Sequence, residues 1–130
     1  VTNGVDSSRV AVLLAVLERR AGLKLSDKDV YVSTVGGVRL NEPGADLAIA
    51  IAVASAFHDK PIAHTVAAFG EISLAGEIRP VNGGKQRDAE ATRLGFTTRI
   101  DDKVGTLRSA LKAAFDTAKD AREREIDAAF

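Results

Sequence analysis

Few side chains in this sequence could act chemically on a substrate. Ser55, Ser73 and Lys85 could in principle supply the hydroxyl and the amine of a serine–lysine pair, in which a lysine of lowered pKa accepts the serine proton. We expect Ser55 in the core, because it lies within an apolar segment, and Lys85 as a solvated residue near a helix start. Glu71 and Glu77 could form a carboxylate pair for acid–base work. They flank a turn, which favours pairing across strands or at an interface.

A second group of residues is suited to binding phosphates. Residues 79–99 contain five basic and two acidic side chains, a net charge of +3 within a chain whose formal net charge is +0. Phosphates could gather near a helix start after Gly83, where free N–H groups favour anions. The alternative is a solvated helix face on which Asp88 and Glu90 neutralise the arginines. The candidate DNA-binding residues are four: Arg39, Arg79, Lys85 and Arg87.

Composition argues against several kinds of site. The chain has no Cys and only two His, so we expect no disulfide framework and no metal site. No GxxxxGK[ST] or strand-linked GxGxxG loop occurs, so no nucleotide site is expected. Apolar residues make up 45% of the chain, without a run of about 18 that could span a membrane. The opening VTNGVDSS lacks the features of a signal peptide, and a cytoplasmic location is expected.

The elements that must position these residues follow from apolar periodicity. A helix is predicted after a cap at Asp6, Ser7 or Ser8 and is expected to end at Gly22. Its buried face is predicted to contain Val10, Leu13, Leu14 and Leu17. β-branched residues over 30–35 predict a strand that two glycines close.

The middle of the chain is ambiguous. Over 47–54, Leu, Ile and Val alternate with alanine, which fits a strand, but both faces are apolar and Pro43 favours a helix start. We predict a buried helix with one small-residue face. Further on, the pattern predicts strands over 66–69 and 76–81 joined by a turn near residue 75, a helix over 85–94, a strand over 97–100 and helix from 103 onward.

The stretch 41–95 resembles the proteolytic domain of Lon-type proteases. The family has a GPSAG-like segment that opens a helix and a GE-[IV]-x-L-x-G-x-[IV]-x-P-[IV]-x-G segment that forms a hairpin. The matching residues here are Pro43, Ala45, Gly70, Glu71, Ile72, Leu74, Gly76, Ile78, Pro80, Val81 and Gly83.

The resemblance aligns the family's catalytic serine with Gly44 and its catalytic lysine with Arg87. Glycine has no nucleophile, and arginine stays protonated and cannot act as the base. The resemblance therefore implies that this chain has no catalytic residues and no peptidase activity. Asp46, at the place of the second glycine, is expected to pair with Arg87 and fill the vacated cleft. Arg39 could contact DNA or pair with Glu42 or Asp46, and the residues alone leave these alternatives open.

A longer resemblance covers nearly the whole chain. The blocks NGVDSSRVAVLLAVLERRAGLKL, DVYVSTVGGVRLNEPGADLAIAIAV, FGEISLAGEIRPV and VGTLRSALKAAF are similar to the C-terminal Lon-like domain of the bacterial RadA family of DNA repair proteins. The resemblance implies a larger parent with a zinc motif and an ATPase core that uses ATP and magnesium. It further implies a hexameric ring that acts as a DNA motor in branch migration, with the RecA recombinase as a partner and no membrane association.

These inferences lead to one prediction of fold and function. The fold should be a two-layer α/β domain like domain 2 of ribosomal protein S5. Residues 1–116 should form the Lon-protease-like domain, and residues 117–130 a charged helical or flexible tail. The predicted function is a noncatalytic oligomerisation and DNA-binding domain. The alternatives are a protein-interaction module that docks through the tail and a serine peptidase with a relocated nucleophile.

Overall fold

The computed structural model describes the backbone of residues 1–129 and the side chains of residues 1–117 and of Ile126. Helices and strands alternate along the chain, as expected for an α/β domain. The helices are α1 (Ser7–Ala21), α2 (Asp46–His58), α3 (Gly84–Arg93) and α4 (Leu107–Ala129). The strands are β1 (Thr2–Asn3), β2 (Val32–Ser33), β3 (Val66–Ala68), β4 (Glu71–Ile72), β5 (Ile78–Arg79) and β6 (Thr98–Ile100).

Within the described residues the strands form three two-stranded sheets. The pairs β1–β2 and β3–β6 are parallel, whereas β4–β5 is an antiparallel hairpin. The prediction that a turn near residue 75 joins strand 66–69 to strand 76–81 was wrong, because the strand directly before that turn is β4. Val66 lies opposite Thr98 on β6, and the hairpin begins only after Gly70, at Glu71. Periodicity identifies a strand but carries no information about its partner.

Helix α1 forms where the sequence predicts it. The side chain of Asp6 caps the helix by accepting a hydrogen bond of 2.9 Å from the Ser8 N–H. Gly22 ends it in the left-handed conformation, which glycine adopts without a steric penalty. The buried face contains Val10, Leu13, Val16 and Leu17; Leu14 of the predicted face is only half-buried.

Helix α2 confirms the helical interpretation of the alternating segment. Six of its residues are buried, because the helix packs on α1 and α4 and is covered on several sides. Ala50 and Ala54 of α2 and Ala110 and Ala114 of α4 are fully buried, so small side chains line much of the helix packing. The core is completed by larger apolar side chains, among them Leu13, Leu17, Leu47, Ile100 and Leu107.

Helix α4 continues without a break from Leu107 to Ala129. The boundary proposed between residues 116 and 117 stays a prediction, and Phe130, the end of the proposed docking tail, lies outside the described residues. No helix in the described part of the chain is long and apolar enough to cross a membrane.

Candidate functional site

A short 3-10 turn, Pro43–Ala45, leads into α2 and forms one wall of the candidate site. Proline suits the first position of such a turn because it has no backbone N–H, and an N–H at that position would have no partner within the turn. Two backbone hydrogen bonds fix the turn against the residue that precedes β4: Gly70 N–H donates to the Gly44 carbonyl at 3.0 Å, and Leu47 N–H donates to the Gly70 carbonyl at 3.1 Å. The position of Gly44 is therefore set by the segment that opens the hairpin.

Arg87, in the first turn of α3, lies directly against Gly44. A Cβ atom built on Gly44 would lie 3.2 Å from Arg87 Nη1 and 3.3 Å from Val81 Cγ1. These separations are tighter than ordinary van der Waals contact. The two positions that the sequence singles out, 44 and 87, are thus brought together, and the guanidinium lies in tight contact with the place where a side chain at 44 would begin.

The Arg87 guanidinium is held in place by three hydrogen bonds. Nη1 and Nη2 donate to the two carboxylate oxygens of Glu42 at 2.9 and 2.6 Å, and Nε donates to the Asn82 carbonyl at 3.2 Å. The hydrogen bonds from Arg87 lower the pKa of Glu42, and Glu42 in turn raises the pKa of Arg87. This two-point ion pair joins α3 to the segment before the turn.

Asp46 does not pair with Arg87, so that prediction was wrong. It is only 1% exposed, and its carboxylate accepts hydrogen bonds from Arg9 Nε at 2.9 Å, from Arg9 Nη2 and from the Ile72 N–H at 3.1 Å. The hydrogen bonds to Asp46 raise the pKa of Arg9. The reason for the difference is geometric: Asp46 faces α1 and β4, whereas Glu42 faces α3.

The other candidates for catalysis do not converge. The Ser55 hydroxyl, which is half-buried rather than in the core, donates to the Lys60 carbonyl, and the Ser73 hydroxyl accepts from the Glu77 N–H at 3.1 Å. Both hydroxyls therefore stabilise backbone turns. Glu71 lies opposite Arg79 in the hairpin, as cross-strand placement predicts.

The basic segment divides into paired and unpaired cations. Arg93 pairs with Glu90, and Arg99 with Asp88, which confirms the solvated-face alternative for these two arginines. The other three candidate cations are exposed: Arg39, Arg79 and Lys85. Within the described residues none of them forms an ion pair.

Sequence reasoning missed Arg9 as the partner of Asp46, and Glu42 as the partner of Arg87. The paired residues are 37 and 45 positions apart, so no helical or strand spacing connects them. The only signal in the sequence was Asp46 in the first turn of α2. An acidic residue there indicates that a hydrogen-bond donor lies nearby, but it does not identify the donor.

Residues 15–104 match the sequence profile of the Lon protease (S16) C-terminal proteolytic domain. The chain belongs to this family. The match includes the turn at Gly44, the hairpin and α3, so the contact between positions 44 and 87 lies within the Lon-like domain. The predicted α/β class and Lon-protease-like domain are confirmed.

Curated relatives of this Lon-like domain are DNA repair proteins. The chain is 47% identical over 116 residues to DNA repair protein RadA of Mycobacterium tuberculosis, a match that covers 86% of the chain and 24% of the relative. It is 50% identical over 111 residues to RadA of Streptococcus pyogenes (85% and 23%) and 48% identical over 97 residues to RadA of Salmonella typhimurium (75% and 21%). The chain thus spans less than a quarter of the length of these relatives.

Proposed function

We propose that this chain is a noncatalytic Lon-like domain of a RadA-like DNA repair protein, with roles in assembly and DNA binding. The observation that carries the absence of peptidase chemistry is the placement of the Arg87 guanidinium against Gly44. A peptidase of this family type would need a hydroxyl at the first position and a neutral amine at the second. Here the first has no side chain, and the second is a guanidinium that stays protonated and is paired with the Glu42 carboxylate.

The same ion pair supports a structural role for the site. The bidentate contact between Arg87 and Glu42 ties α3 to the segment before the turn that leads into α2. We propose that the scaffold has kept its shape and no longer catalyses a reaction.

For DNA contact we propose the exposed cations without a carboxylate partner in the described residues, Arg39, Arg79 and Lys85. A phosphate is bound most favourably by a cation that no carboxylate already neutralises. Arg87 could reach a phosphate only by leaving Glu42, so we propose it as a weaker contact. The sequence has one Tyr and no Trp, which offers little for base stacking and favours backbone contacts over base contacts.

For the longer protein we propose a ring of six identical subunits. We further propose that it acts in the cytoplasm together with the RecA recombinase. A ring would add together the weak basic surfaces of its subunits. The described residues place no three His, Asp or Glu side chains together as metal ligands. We propose that the zinc, magnesium and ATP implied by the family resemblance belong to other parts of that protein.

DNA binding is tested by fluorescence anisotropy of a labelled duplex titrated with the chain at several salt concentrations. In Arg79→Gln/Lys85→Gln, we expect weaker binding at low salt and a salt slope smaller by about 0.9 for each phosphate that the variant no longer neutralises. The matched control is Arg93→Gln/Arg108→Gln, which removes the same charge from exposed sites on α3 and α4. Equally weakened binding in both double variants, or no salt-sensitive binding by the unmodified chain, would contradict the proposal.

The peptidase alternative is tested with unfolded casein and a fluorophosphonate probe that labels activated serines. We expect neither cleavage nor labelling, because Ser55 and Ser73 are hydrogen-bonded to backbone groups of their own turns. Labelling that disappears in Ser55→Ala or Ser73→Ala would reinstate the peptidase.

A further inference from the structure

The sequence contains two asparagine–glycine pairs, Asn3-Gly4 and Asn82-Gly83. Such a pair can lose ammonia without an enzyme. The glycine nitrogen attacks the side-chain carbonyl carbon of the asparagine, a C–N bond forms, and the side-chain amide leaves as ammonia with the proton of the glycine N–H. Water then opens the cyclic imide at one of its two carbonyls and gives aspartate or isoaspartate. Glycine favours the attack because it has no side chain to obstruct the ring.

The fold restrains the first of these pairs. Asn3 lies in β1, and its carbonyl accepts a hydrogen bond of 3.0 Å from the Thr34 N–H. The Gly4 carbonyl accepts another of 2.7 Å from the Leu40 N–H. A Cβ atom built on Gly4 would lie only 2.6 Å from the Val38 carbonyl oxygen, so the backbone is closely packed there. Forming the imide would turn the Asn3-Gly4 peptide out of the ladder and break both hydrogen bonds.

The second pair lies in an exposed turn before α3. A Cβ atom built on Gly83 would meet only Gln86 Oε1, at an ordinary contact distance of 3.7 Å. The Asn82 carbonyl accepts one hydrogen bond within the described residues, from the Arg87 side chain at 3.2 Å. The Gly83 carbonyl accepts the first bond of α3, and helix ends open readily. Neither glycine N–H donates a hydrogen bond in the described part of the chain, so the two pairs differ in backbone restraint and not in the availability of the nitrogen.

We propose that Asn82 is a site of spontaneous deamidation in the folded chain, and that β1 protects Asn3 from the same reaction. Deamidation places a carboxylate three residues from both Arg79 and Lys85. In isoaspartate, the carbonyl that Arg87 binds becomes part of that carboxylate. Either product adds negative charge to the segment proposed for phosphate contact and lowers its affinity for DNA. This effect on DNA, but not the modification itself, rests on the proposed function.

The modification is tested by incubating the chain near neutral pH, folded and in urea, and following both asparagines by peptide mass mapping. In urea the two should deamidate at similar rates, because each is followed by glycine. In the folded chain Asn3 should react at least about tenfold more slowly than in urea, whereas Asn82 should stay within about threefold of its rate in urea. Equal rates at the two sites in the folded chain, or a slower reaction at Asn82 than at Asn3, would overturn the proposal.

A matched pair of variants tests the effect on DNA. Asn82→Asp carries the charge of the product, and Asn82→Gln is the neutral control. In the anisotropy titration at low salt, Asn82→Asp should bind the labelled duplex about fivefold more weakly than Asn82→Gln. Equal binding by the two variants would overturn the effect on DNA. If the unmodified chain shows no salt-sensitive binding, the proposed function fails instead, and the mass spectra decide the modification separately.

Discussion

At the scale of single residues, two ion pairs of different kinds hold the candidate site. Asp46 is buried, and three hydrogen bonds from Arg9 and the Ile72 N–H satisfy its carboxylate. Arg9 keeps 35% of its side chain exposed, so only one of the two charges is fully removed from water. Glu42 and Arg87, by contrast, are both partly in solvent, where salt and water screen the attraction.

Removing the buried carboxylate should therefore be costly. Asp46→Ala leaves the Ile72 N–H without a partner and Arg9 without its counter-charge, and we expect a decrease of about 2–4 kcal/mol in the free energy of unfolding. The figure lies below that of a fully buried pair because Arg9 can partly rehydrate. Urea denaturation followed by circular dichroism measures it. The control is Asp88→Ala, whose exposed pair with Arg99 should be worth less than about 1 kcal/mol; similar decreases in both variants would contradict the argument.

The pair of Glu42 with Arg87 should give the domain a small acid sensitivity. The pKa of Glu42 is lowered in the folded state by Arg87, so the ionised carboxylate favours folding above its ordinary pKa of 4.5. This contribution is lost as pH falls from 4.5 through the lowered pKa that Glu42 has in the folded state. Because Glu42 is half exposed, it should amount to less than about 1 kcal/mol.

The test is Glu42→Gln, compared with the unmodified chain at pH 7 and pH 3.5. The variant should be less stable at pH 7, and the difference in urea midpoint should shrink at pH 3.5. Glu77→Gln is the control, since among the described residues Glu77 makes no ion pair. A difference that persists undiminished at pH 3.5 would show that the charge of Glu42 is not the cause.

At the scale of elements, α2 organises the domain through small side chains. Ala50 and Ala54 are fully buried where the helix packs on its neighbours, while Ala48 and Ala52 are exposed. Alanine at the buried positions lets the helices approach closely, and no space is left for a larger group. The alternation of large and small residues in the sequence therefore belongs to a helix that packs on its neighbours through some of its alanines, and not to a strand.

A pair of identical substitutions on α2 tests this interpretation. Ala50→Leu should lower the free energy of unfolding by about 1–3 kcal/mol, because three extra carbon atoms must fit into a filled core. Ala48→Leu, two residues away and exposed, should change it by no more than about 0.5 kcal/mol. Chemical denaturation of both variants gives the comparison. An equal effect would mean that α2 is not packed as described.

At the scale of the whole molecule, charge is uneven along the chain. Residues 41–78 contain one basic and five acidic side chains, a net charge of −4, and residues 79–99 carry +3. Ion pairs within the chain already neutralise several of these charges, so the proposed assembly would depend on the unpaired exposed charges of neighbouring copies.

Light scattering after size exclusion should accordingly give a mass that rises above the 13.7 kDa of one chain as concentration increases. Adding about 0.5 M salt should lower the mass, because exposed charges are screened over a few ångströms at such ionic strength. A mass of 13.7 kDa at every concentration, at low salt, would remove assembly from the proposed roles of this domain.

The sequence by itself determined the α/β class, the family and most of the helices. Three features of α1 are local: the cap at Asp6, the end at Gly22 and the apolar face. Local features can be predicted because they depend on residues that are close together in the sequence. The Lon-like blocks around Gly44 and Arg87 also identified the two positions that the fold brings into contact.

Only the tertiary structure decided which partner each of these groups meets. Strand β3 pairs with β6 rather than with its neighbour in sequence, Asp46 meets Arg9, and Arg87 meets Glu42. These contacts join residues about 30 or more positions apart, and they depend on how the helices stack around a core of alanines and leucines. A periodic pattern tells which face of an element is buried, but the direction from which a partner arrives is set by packing of the whole chain.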